Sequence, residues 1–535
     1  MKRNYLIKNI QFGLLALAVL FTSCDLDIND NPNSATGVVV TPDLSLPAII
    51  ASTVYNQVYY YGYSTADFLV GYQVPGDGLS GFGAGYTYNF TSSFVPGAWT
   101  AVFDDLRNYQ TIIRKSEAEP KYALFGDIAH ILRAYNYQLL VDAYGDVPYT
   151  EGLQGASSGI LSPKYDKDAD VYKALIGELN DAIAAIKVHK EQIGGEVSGL
   201  SSSTDPVFAG DFTKWIQFAN NIKLRLLIRA HGTSIDGFVQ EELGKFSSEG
   251  FYKDDVLVNP GYNANSQQNP YWTAFHSSVD GTITQAARFY IASKYILTFY
   301  DGKKLSDDVR GALVYKDYPN VPAWQLADET GRPHTPEYLW HIGTGIGKTA
   351  SDAKGILKSR AAAAPLFFGF ETYFLLAEAA LYGHTLDGDA KTNFEKGIAA
   401  SFNFLEKGGT ASSLAAEDHP EQDAKDYIEA NSGSYLANFD LATAPEQKLE
   451  AIITQKYIAL NVLNANEAWN EFRRTGYPKI SGSDPLTTFV SVRSQSSRAD
   501  QLPVRLIYPQ AEYNLNVNTP KIADAYSNPI FWDKE

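Results

Sequence analysis

The sequence contains very little sulfur. Among 535 residues there is one cysteine, Cys24, and one methionine, Met1. A single cysteine excludes an intramolecular disulfide, so the thiol needs another purpose. Beyond Cys24 the chain carries no cysteine or methionine, the two side chains that oxidise most readily, and this suits a protein exposed outside the cell.

Long apolar segments and excess basic charge are also missing. No stretch approaches the ~20 uninterrupted apolar residues that a membrane-spanning helix needs. The chain has 44 Lys and Arg against 61 Asp and Glu, which gives a formal net charge of −17 at pH 7. Because nucleic-acid binding depends on clustered basic residues, this composition argues against a nucleic-acid ligand.

The N-terminus has the layout of an export signal, with basic residues before a short apolar run over residues 12–21. Cys24 follows this run in an arrangement that resembles a lipobox, where the thiol is acylated. The alternative is an ordinary cleavage site with an incidental cysteine. Acyl chains contribute ~0.8 kcal/mol per buried CH₂ and anchor a protein without a helix. We predict a signal peptide over 1–23, lipidation at Cys24 and a flexible tether over 24–45.

Helical periodicity dominates the predicted domain, residues 46–535. Val171, Leu175 and Leu179 share one apolar stripe, and Asp211 is placed to cap the next helix. Adjacent helices resemble tetratricopeptide pairs, although the ~34-residue repeat is degenerate. The predicted fold is mainly α, with stacked helix pairs and few short strands, one of them near 68–74. Further helices are predicted over 99–116, 123–144, 366–382, 390–405 and 446–473.

Three long tracts interrupt the helices, over residues 59–95, 249–283 and 301–364. They are rich in Gly, Pro, Asn and aromatic residues. Loops of this length inside a folded domain are usually functional, so we expect ligand binding in them. The segment from 503 onward carries several prolines and is predicted to wrap irregularly over the helices.

Several segments, taken in chain order, resemble the SusD/RagB family of nutrient-binding lipoproteins, and in particular its starch-binding, outer-membrane-associated branch. The most recognisable is a helix that ends in a Gly-Asp-x-Pro-Tyr turn at Tyr149. Each segment alone is a weak signal, but their order downstream of a lipoprotein signal makes the resemblance specific. The matching segments are 29–33, 41–47, 132–149, 214–225, 367–380, 394–401, 455–459, 467–469, 473–478 and 502–509.

The resemblance implies a surface-exposed lipoprotein of the outer membrane that binds its ligand without catalysis and without a cofactor. It also implies a SusC-like TonB-dependent transporter as partner, with oligosaccharide, or in some relatives peptide, held over the transporter. Within the matching segments we interpret Arg133, Arg225 and Arg473 as fixing helix packing through charge-assisted hydrogen bonds, in preference to ligand contact.

Three short motifs suggest an enzyme, but each lacks its structural context. Residues 343–349 resemble a phosphate loop, yet the required glycine position is Ile342. Residues 76–81 have dinucleotide-loop spacing without a following helix. Residues 155–159 have nucleophile-elbow spacing without a preceding buried strand. No helix carries a His-x-x-x-His pair, so zinc is unsupported. A surface glycosidase remains an alternative, because the separation of two acids is a tertiary property.

Sugar rings have apolar faces and polar rims, so carbohydrate sites combine flat aromatic rings with amides and carboxylates. The three tracts supply such clusters. For every ring in them the alternative is core packing beneath the loop. The predicted ligand-contacting residues are Tyr271, Trp272 and Phe275; Trp324, Tyr338 and Trp340; and Tyr86 and Tyr88.

Overall fold

The computed structural model describes residues 40–78, 83–325, 331–333, 338–343 and 353–533. The predicted signal peptide, the lipidation site Cys24 and most of the predicted tether lie outside these ranges. Among the described helices none is both long and apolar enough to cross a membrane.

Helices form about half of the described chain and strands only a small part, so the predicted mainly α fold is confirmed. The longer helices are α1 (Pro42–Asn56), α2 (Gly97–Ala118), α3 (Ala123–Tyr144), α4 (Asp168–His189), α5 (Phe212–Ala230), α6 (Asp236–Leu243), α7 (Gly369–Leu381), α8 (Ala390–Glu406), α9 (Pro420–Ala430), α10 (Pro445–Ala459) and α11 (Ala465–Thr475). A π-helix spans Gln57–Ala66, and short helices span Asp67–Leu69, Ala84–Thr87, Gly155–Ser158, Pro270–Phe275, Gln285–Phe289, Lys294–Leu297, Asp308–Val314 and Gln510–Leu515. Turns of 3₁₀-helix cover Pro120–Tyr122, Lys190–Gln192 and Phe439–Leu441.

Consecutive helices pack side by side, as tetratricopeptide-like pairs do. Helix α2 lies against α3, α3 against α4, and α4 against α5; in the second half α7 lies against α8 and α8 against α9. Helix α3 is buried along almost its whole length because it is covered by both α2 and α4. At the start of α5 the predicted cap is present, since the Asp211 carboxylate accepts a hydrogen bond from Lys214 N at 3.2 Å.

Five short strands are described: β1 (Val74–Pro75), β2 (Val256–Val258), β3 (Tyr290–Ser293), β4 (Ala323–Trp324) and β5 (Ala364–Phe367). The first sheet has the order β1-β3-β4, with β1 antiparallel and β4 parallel to β3. The second pairs β2 with β5 in antiparallel fashion. The tracts predicted as irregular therefore supply β1, β2 and β4, whereas β3 and most of β5 lie outside them.

The predicted continuous helix over 446–473 is wrong. The chain forms two helices, α10 and α11, separated by residues 460–464. Val462 has a left-handed φ of 57°, which a continuing helix cannot accommodate. The Asn464 side chain then accepts a hydrogen bond from Glu467 N at 3.3 Å and starts α11. The apolar residues keep their helical spacing across residues 460–464, so the spacing alone does not show that the first helix ends there.

Two other predicted boundaries also move. The helix predicted from 366 begins at Gly369, because the preceding residues extend as β5. The tract predicted to be irregular from 59 is helical as far as Leu69, through the π-helix and the turn Asp67–Leu69. A π-helix is rare and is often found at functional sites.

A network of buried ions joins α3, α5, α7, α10 and α11. Arg225 on α5 makes a paired contact with Glu371 on α7, at 2.7 and 3.0 Å. One turn later, Arg229 contacts both Asp142 on α3 and Glu467 on α11. All these side chains are buried. The charges therefore compensate one another inside the core, which is the condition for a buried ion to be tolerated.

The same network extends along α11, where Glu471 bonds to Lys456 at 2.8 Å and also contacts Arg474. Burial alone would raise the pKa of Glu471, but these two cations hold it well below its usual value. Arg473 donates instead to the carbonyls of Val504 and Asp142, at 2.6 and 2.7 Å. The interpretation of Arg225 and Arg473 as packing residues is confirmed.

The C-terminal segment wraps over α3 and α4 with one short helix, as predicted. The Tyr508 hydroxyl donates to the carbonyl oxygens that end α3, at Tyr144 and Asp146. The Trp532 indole donates to the Asp142 carboxylate at 3.2 Å. The wrap therefore closes over the buried network.

Candidate functional site

The three tracts singled out in the sequence meet at the small β1-β3-β4 sheet. Strand β1 comes from the first tract, β4 from the third, and β3 follows the second. Beyond the strands, Gly76 N donates to Phe289 O at 2.6 Å and Tyr338 N donates to Ala287 O at 2.6 Å. The sheet therefore holds loops from distant parts of the sequence beside each other.

Three stacked rings connect two of these loops. The imidazole of His276 lies between Trp272 and Tyr338, with centroid distances of 4.0 and 4.4 Å and interplanar angles of 22° and 18°. Trp272 is the inner ring, only 5% exposed, whereas His276 and Tyr338 are half-buried. Tyr338 has a left-handed φ of 69°, which is unusual for an aromatic residue and typical of functional sites. We call these three rings the ring ladder.

The middle ring of the ladder is uncharged. Burial, and the nearby Arg360 guanidinium, lower the pKa of His276 to about 4, so the imidazole is neutral at physiological pH. Ser277 Oγ accepts a hydrogen bond from Trp272 Nε1 at 3.2 Å and lies 3.0 Å from His276 Nδ1. Because that hydroxyl can donate its own proton to Nδ1, the arrangement favours the His276 proton on Nε2.

Trp324 on the edge strand β4 is a second half-buried ring. The Lys294 ammonium lies 4.4 Å from its ring centroid. Its indole Nε1–H is buried and has no hydrogen-bond partner among the described residues, and the same holds for Nε2 of Gln325. An unsatisfied buried donor costs about 1–3 kcal/mol. These two adjacent donors are candidates for hydrogen bonds to a hydroxyl-bearing ligand.

Three predicted rings are in the core. Tyr271, Phe275 and Trp340 are all buried, and Trp340 has no exposed surface. The Tyr271 hydroxyl donates to a main-chain carbonyl on the α10–α11 connection, and Trp340 stacks on Tyr315 with centroids 5.6 Å apart. No face of these rings is open to a sugar. These three residues therefore pack in the core, which was the alternative to ligand contact.

The third predicted cluster is also structural as far as it is described. Tyr88 has no exposed surface, and its hydroxyl accepts a hydrogen bond from Ser491 N at 3.0 Å. This contact fastens the first tract to the loop that follows α11. Tyr86 lies in the short helix Ala84–Thr87, and its side chain lies outside what the structure describes.

His276, which stacks between Trp272 and Tyr338, was not predicted from the sequence as a site residue. A signal was available, because Trp272 and His276 are four residues apart and side chains at this spacing meet on a helical turn. The contact between His276 and Tyr338 had no such signal, since 62 residues of chain separate the two rings.

The half-buried rings and donors of Trp324, Gln325, His276 and Tyr338 together form what we call the loop surface. Two cavities elsewhere fit a glycan less well than this surface. The cavity beside Tyr271 and Trp272 holds about 50 Å³, well below the roughly 300–1,000 Å³ of typical ligand pockets. A groove of about 830 Å³ runs between α7, α8 and α9. Its lining includes the rings of Tyr373 and His419 among charged side chains such as Lys396 and Lys425.

Within the described ranges the structure shows no metal-binding cluster and no nucleophile elbow at Ser157. No group of three or more His, Cys, Asp and Glu side chains within the described ranges is arranged to hold a metal ion. Ser157, in the motif with nucleophile-elbow spacing, sits in a short exposed helix and accepts a hydrogen bond from Arg114. Residues 344–349 of the phosphate-loop-like motif, and Gly81 of the dinucleotide-like motif, lie outside the described ranges.

Two known families each match one part of the chain, and together they match most of it. Residues 34–280 match the family described as SusD-like, starch-binding associating with outer membrane. Residues 344–530 match the SusD-like family described as Susd and RagB outer membrane lipoprotein. No curated protein matches the chain.

Solved structures share the fold along nearly the whole chain. A SusD homolog from Bacteroides uniformis has a TM-score of 0.68 at 22% identity and covers 92% of this chain and 99% of its own. A chitin-binding SusD homolog from Flavobacterium johnsoniae has a TM-score of 0.66 at 21% identity, covering 91% and 98%. A SusD/RagB family protein from Bacteroides thetaiotaomicron has a TM-score of 0.65 at 20% identity, covering 92% and 99%.

Proposed function

Since the chain belongs to the SusD/RagB family of outer membrane lipoproteins, we propose that it captures a neutral glycan at the cell surface, without catalysis, and delivers it to a SusC-like TonB-dependent transporter. The family description as starch-binding and the chitin-binding relative support a carbohydrate ligand. In this proposal Cys24 carries the lipid anchor, and no cofactor takes part.

The observation that carries the proposal is the pairing of half-buried rings with unsatisfied donors. Trp324 offers a ring beside two buried N–H groups, its own and that of Gln325. The ring ladder offers Tyr338 and His276. A pyranose presents C–H faces to rings and hydroxyls to donors, so it satisfies both. The proposed ligand-contacting residues are Trp324, Gln325, Tyr338 and His276, with Trp272 supporting the ladder from beneath.

The charge of the protein favours a neutral glycan. A net charge of −17 repels acidic polysaccharides at long range. Three cations beside the rings are engaged with them: Lys294 lies over Trp324, Lys316 lies 5.9 Å from the centroid of Tyr338, and Arg360 lies 5.8 Å from the centroid of Trp272. His276 is neutral, so the ladder adds no charge.

Titration of the mature lipoprotein with maltoheptaose and with chitohexaose tests the proposal. The protein is held in a non-glycosidic detergent, and heat of binding and released sugar are both measured. We expect saturable binding of at least one oligosaccharide and no shorter products after prolonged incubation. Accumulation of shorter sugars would mean that the protein is a glycosidase. Binding to a peptide pool but to neither sugar would select the peptide-capturing alternative.

A further inference from the structure

Four tyrosines on α1 and the π-helix form a continuous row of rings at the surface. Tyr55 and Tyr59 stack with centroids 5.3 Å apart, and Tyr59 and Tyr63 follow at 5.4 Å. Tyr60 meets both Tyr55 and Tyr59 edge-on, at 6.4 and 5.3 Å. We call these four residues the tyrosine strip. The π-helix widens the helical turn that carries three of them.

The strip is open to solvent. Tyr55 is 37% exposed, and the other three rings are half-buried. Among the described residues, the hydroxyls of Tyr55, Tyr59 and Tyr60 make no hydrogen bond. By contrast Tyr61, on the buried side of the same helix, donates to Ala98 O at 2.8 Å. The strip therefore combines apolar rings with hydroxyls that are available to a ligand, which is the character of tyrosine-rich binding surfaces.

One end of the strip lies next to the elements that carry the proposed glycan site. The Tyr63 ring lies 5.6 Å from Phe275 and 6.1 Å from Tyr290, measured between centroids. Phe275 immediately precedes His276 of the ring ladder, and Tyr290 opens β3 in the central strand of the sheet. Tyr63 is therefore the ring of the strip that contacts the segments carrying the ladder and the sheet.

The chemistry of the strip fits the same neutral ligand. Residues 44–66 contain no Asp, Glu, Lys or Arg. A surface that binds anionic lipid or phosphate uses clustered basic residues, and a membrane-surface helix carries them on its polar face. The strip has instead uncharged rings and hydroxyls at similar intervals, which match the repeating faces and hydroxyls of a neutral polysaccharide.

We propose that the tyrosine strip is a second part of the glycan site, which binds sugar units beyond those held by the loop surface and makes affinity depend on chain length. This proposal rests on the proposed function. The loop surface alone holds a short oligosaccharide, and a longer one also lies along Tyr63, Tyr59 and Tyr55.

The test compares short and long probes on the mature lipoprotein in non-glycosidic detergent: maltotriose with maltoheptaose, and chitotriose with chitohexaose. For Tyr55→Ser combined with Tyr59→Ser we expect affinity for the long probe to fall about tenfold, and affinity for the short probe to change by less than about twofold. Tyr55→Phe with Tyr59→Phe keeps the rings, and hence the packing, and removes only the hydroxyls. We expect it to lower affinity for the long probe about threefold.

The matched control is Tyr435→Ser, which replaces a half-buried tyrosine between α9 and α10, and we expect it to bind both probes like the parent protein. Parent protein that binds the long probe no more tightly than the short one would overturn the strip proposal alone. Unchanged long-probe affinity in both double variants, or an equal loss for both probe lengths, would do the same. Parent protein that binds none of the four probes would overturn the proposed function, and the strip proposal with it.

Discussion

A protein carrying both Trp324→Ala and Tyr338→Ala is expected to bind its glycan about a hundredfold more weakly, equivalent to about 2.8 kcal/mol. Each change removes one half-buried ring that stacks on a sugar face. Loss of Trp324 also removes an indole donor that has no other partner among the described residues. Isothermal titration with the oligosaccharide that binds the parent protein measures the effect, and each single variant is expected to show about a tenfold loss.

The control for the ring variants is Trp340→Phe. Trp340 is close to Tyr338 in sequence but has no exposed surface, so its replacement is expected to lower stability and to leave affinity within about twofold. Thermal unfolding separates the two effects. If the double variant keeps a parent-like melting profile and parent-like affinity, the rings at Trp324 and Tyr338 do not contact the glycan.

Replacing Arg229 with methionine is expected to lower the free energy of unfolding by about 3–5 kcal/mol. The change leaves Asp142 and Glu467 buried without their shared cation. Methionine fills much of the same volume, so the loss reports the missing charge more than a cavity. Denaturant unfolding followed by circular dichroism measures it.

Two further variants isolate the buried charge. Lys245→Met removes ion pairs with the exposed Glu241 and with Glu242, which keeps its second partner Lys223, and is expected to cost at most about 1 kcal/mol. Arg229→Met combined with Glu467→Gln is expected to cost less than the sum of the two single changes, because each relieves the charge that the other leaves unpaired. Equal costs for Arg229→Met and Lys245→Met would mean that the network does not stabilise the core.

The helical part of the fold could be predicted from the sequence because its determinants are local. The apolar stripe of α4 and the capping carboxylate of Asp211 act within a few residues of one another. The ends of α10 and α11 could not be predicted in the same way. Their apolar spacing continues across the break, and what interrupts the helix is the left-handed turn at Val462.

The candidate site was predictable as a region and not as a set of residues. Gly, Pro, Asn and aromatic content identified the three tracts that the β1-β3-β4 sheet brings together. Burial within them is set by tertiary contacts. Tyr338 and Trp340 would point to one side of a regular strand, but the left-handed φ at Tyr338 turns the chain there, so one ring is half-exposed and the other is buried. The amino-acid composition of the tract does not predict that turn.

The most direct test is a crystal structure of the protein with the oligosaccharide that binds it. We expect sugar rings stacked on Trp324 and Tyr338, with a sugar hydroxyl accepting the hydrogen bond of the Trp324 indole. Sugar bound instead in the groove between α7, α8 and α9, with the loop surface empty, would contradict this expectation.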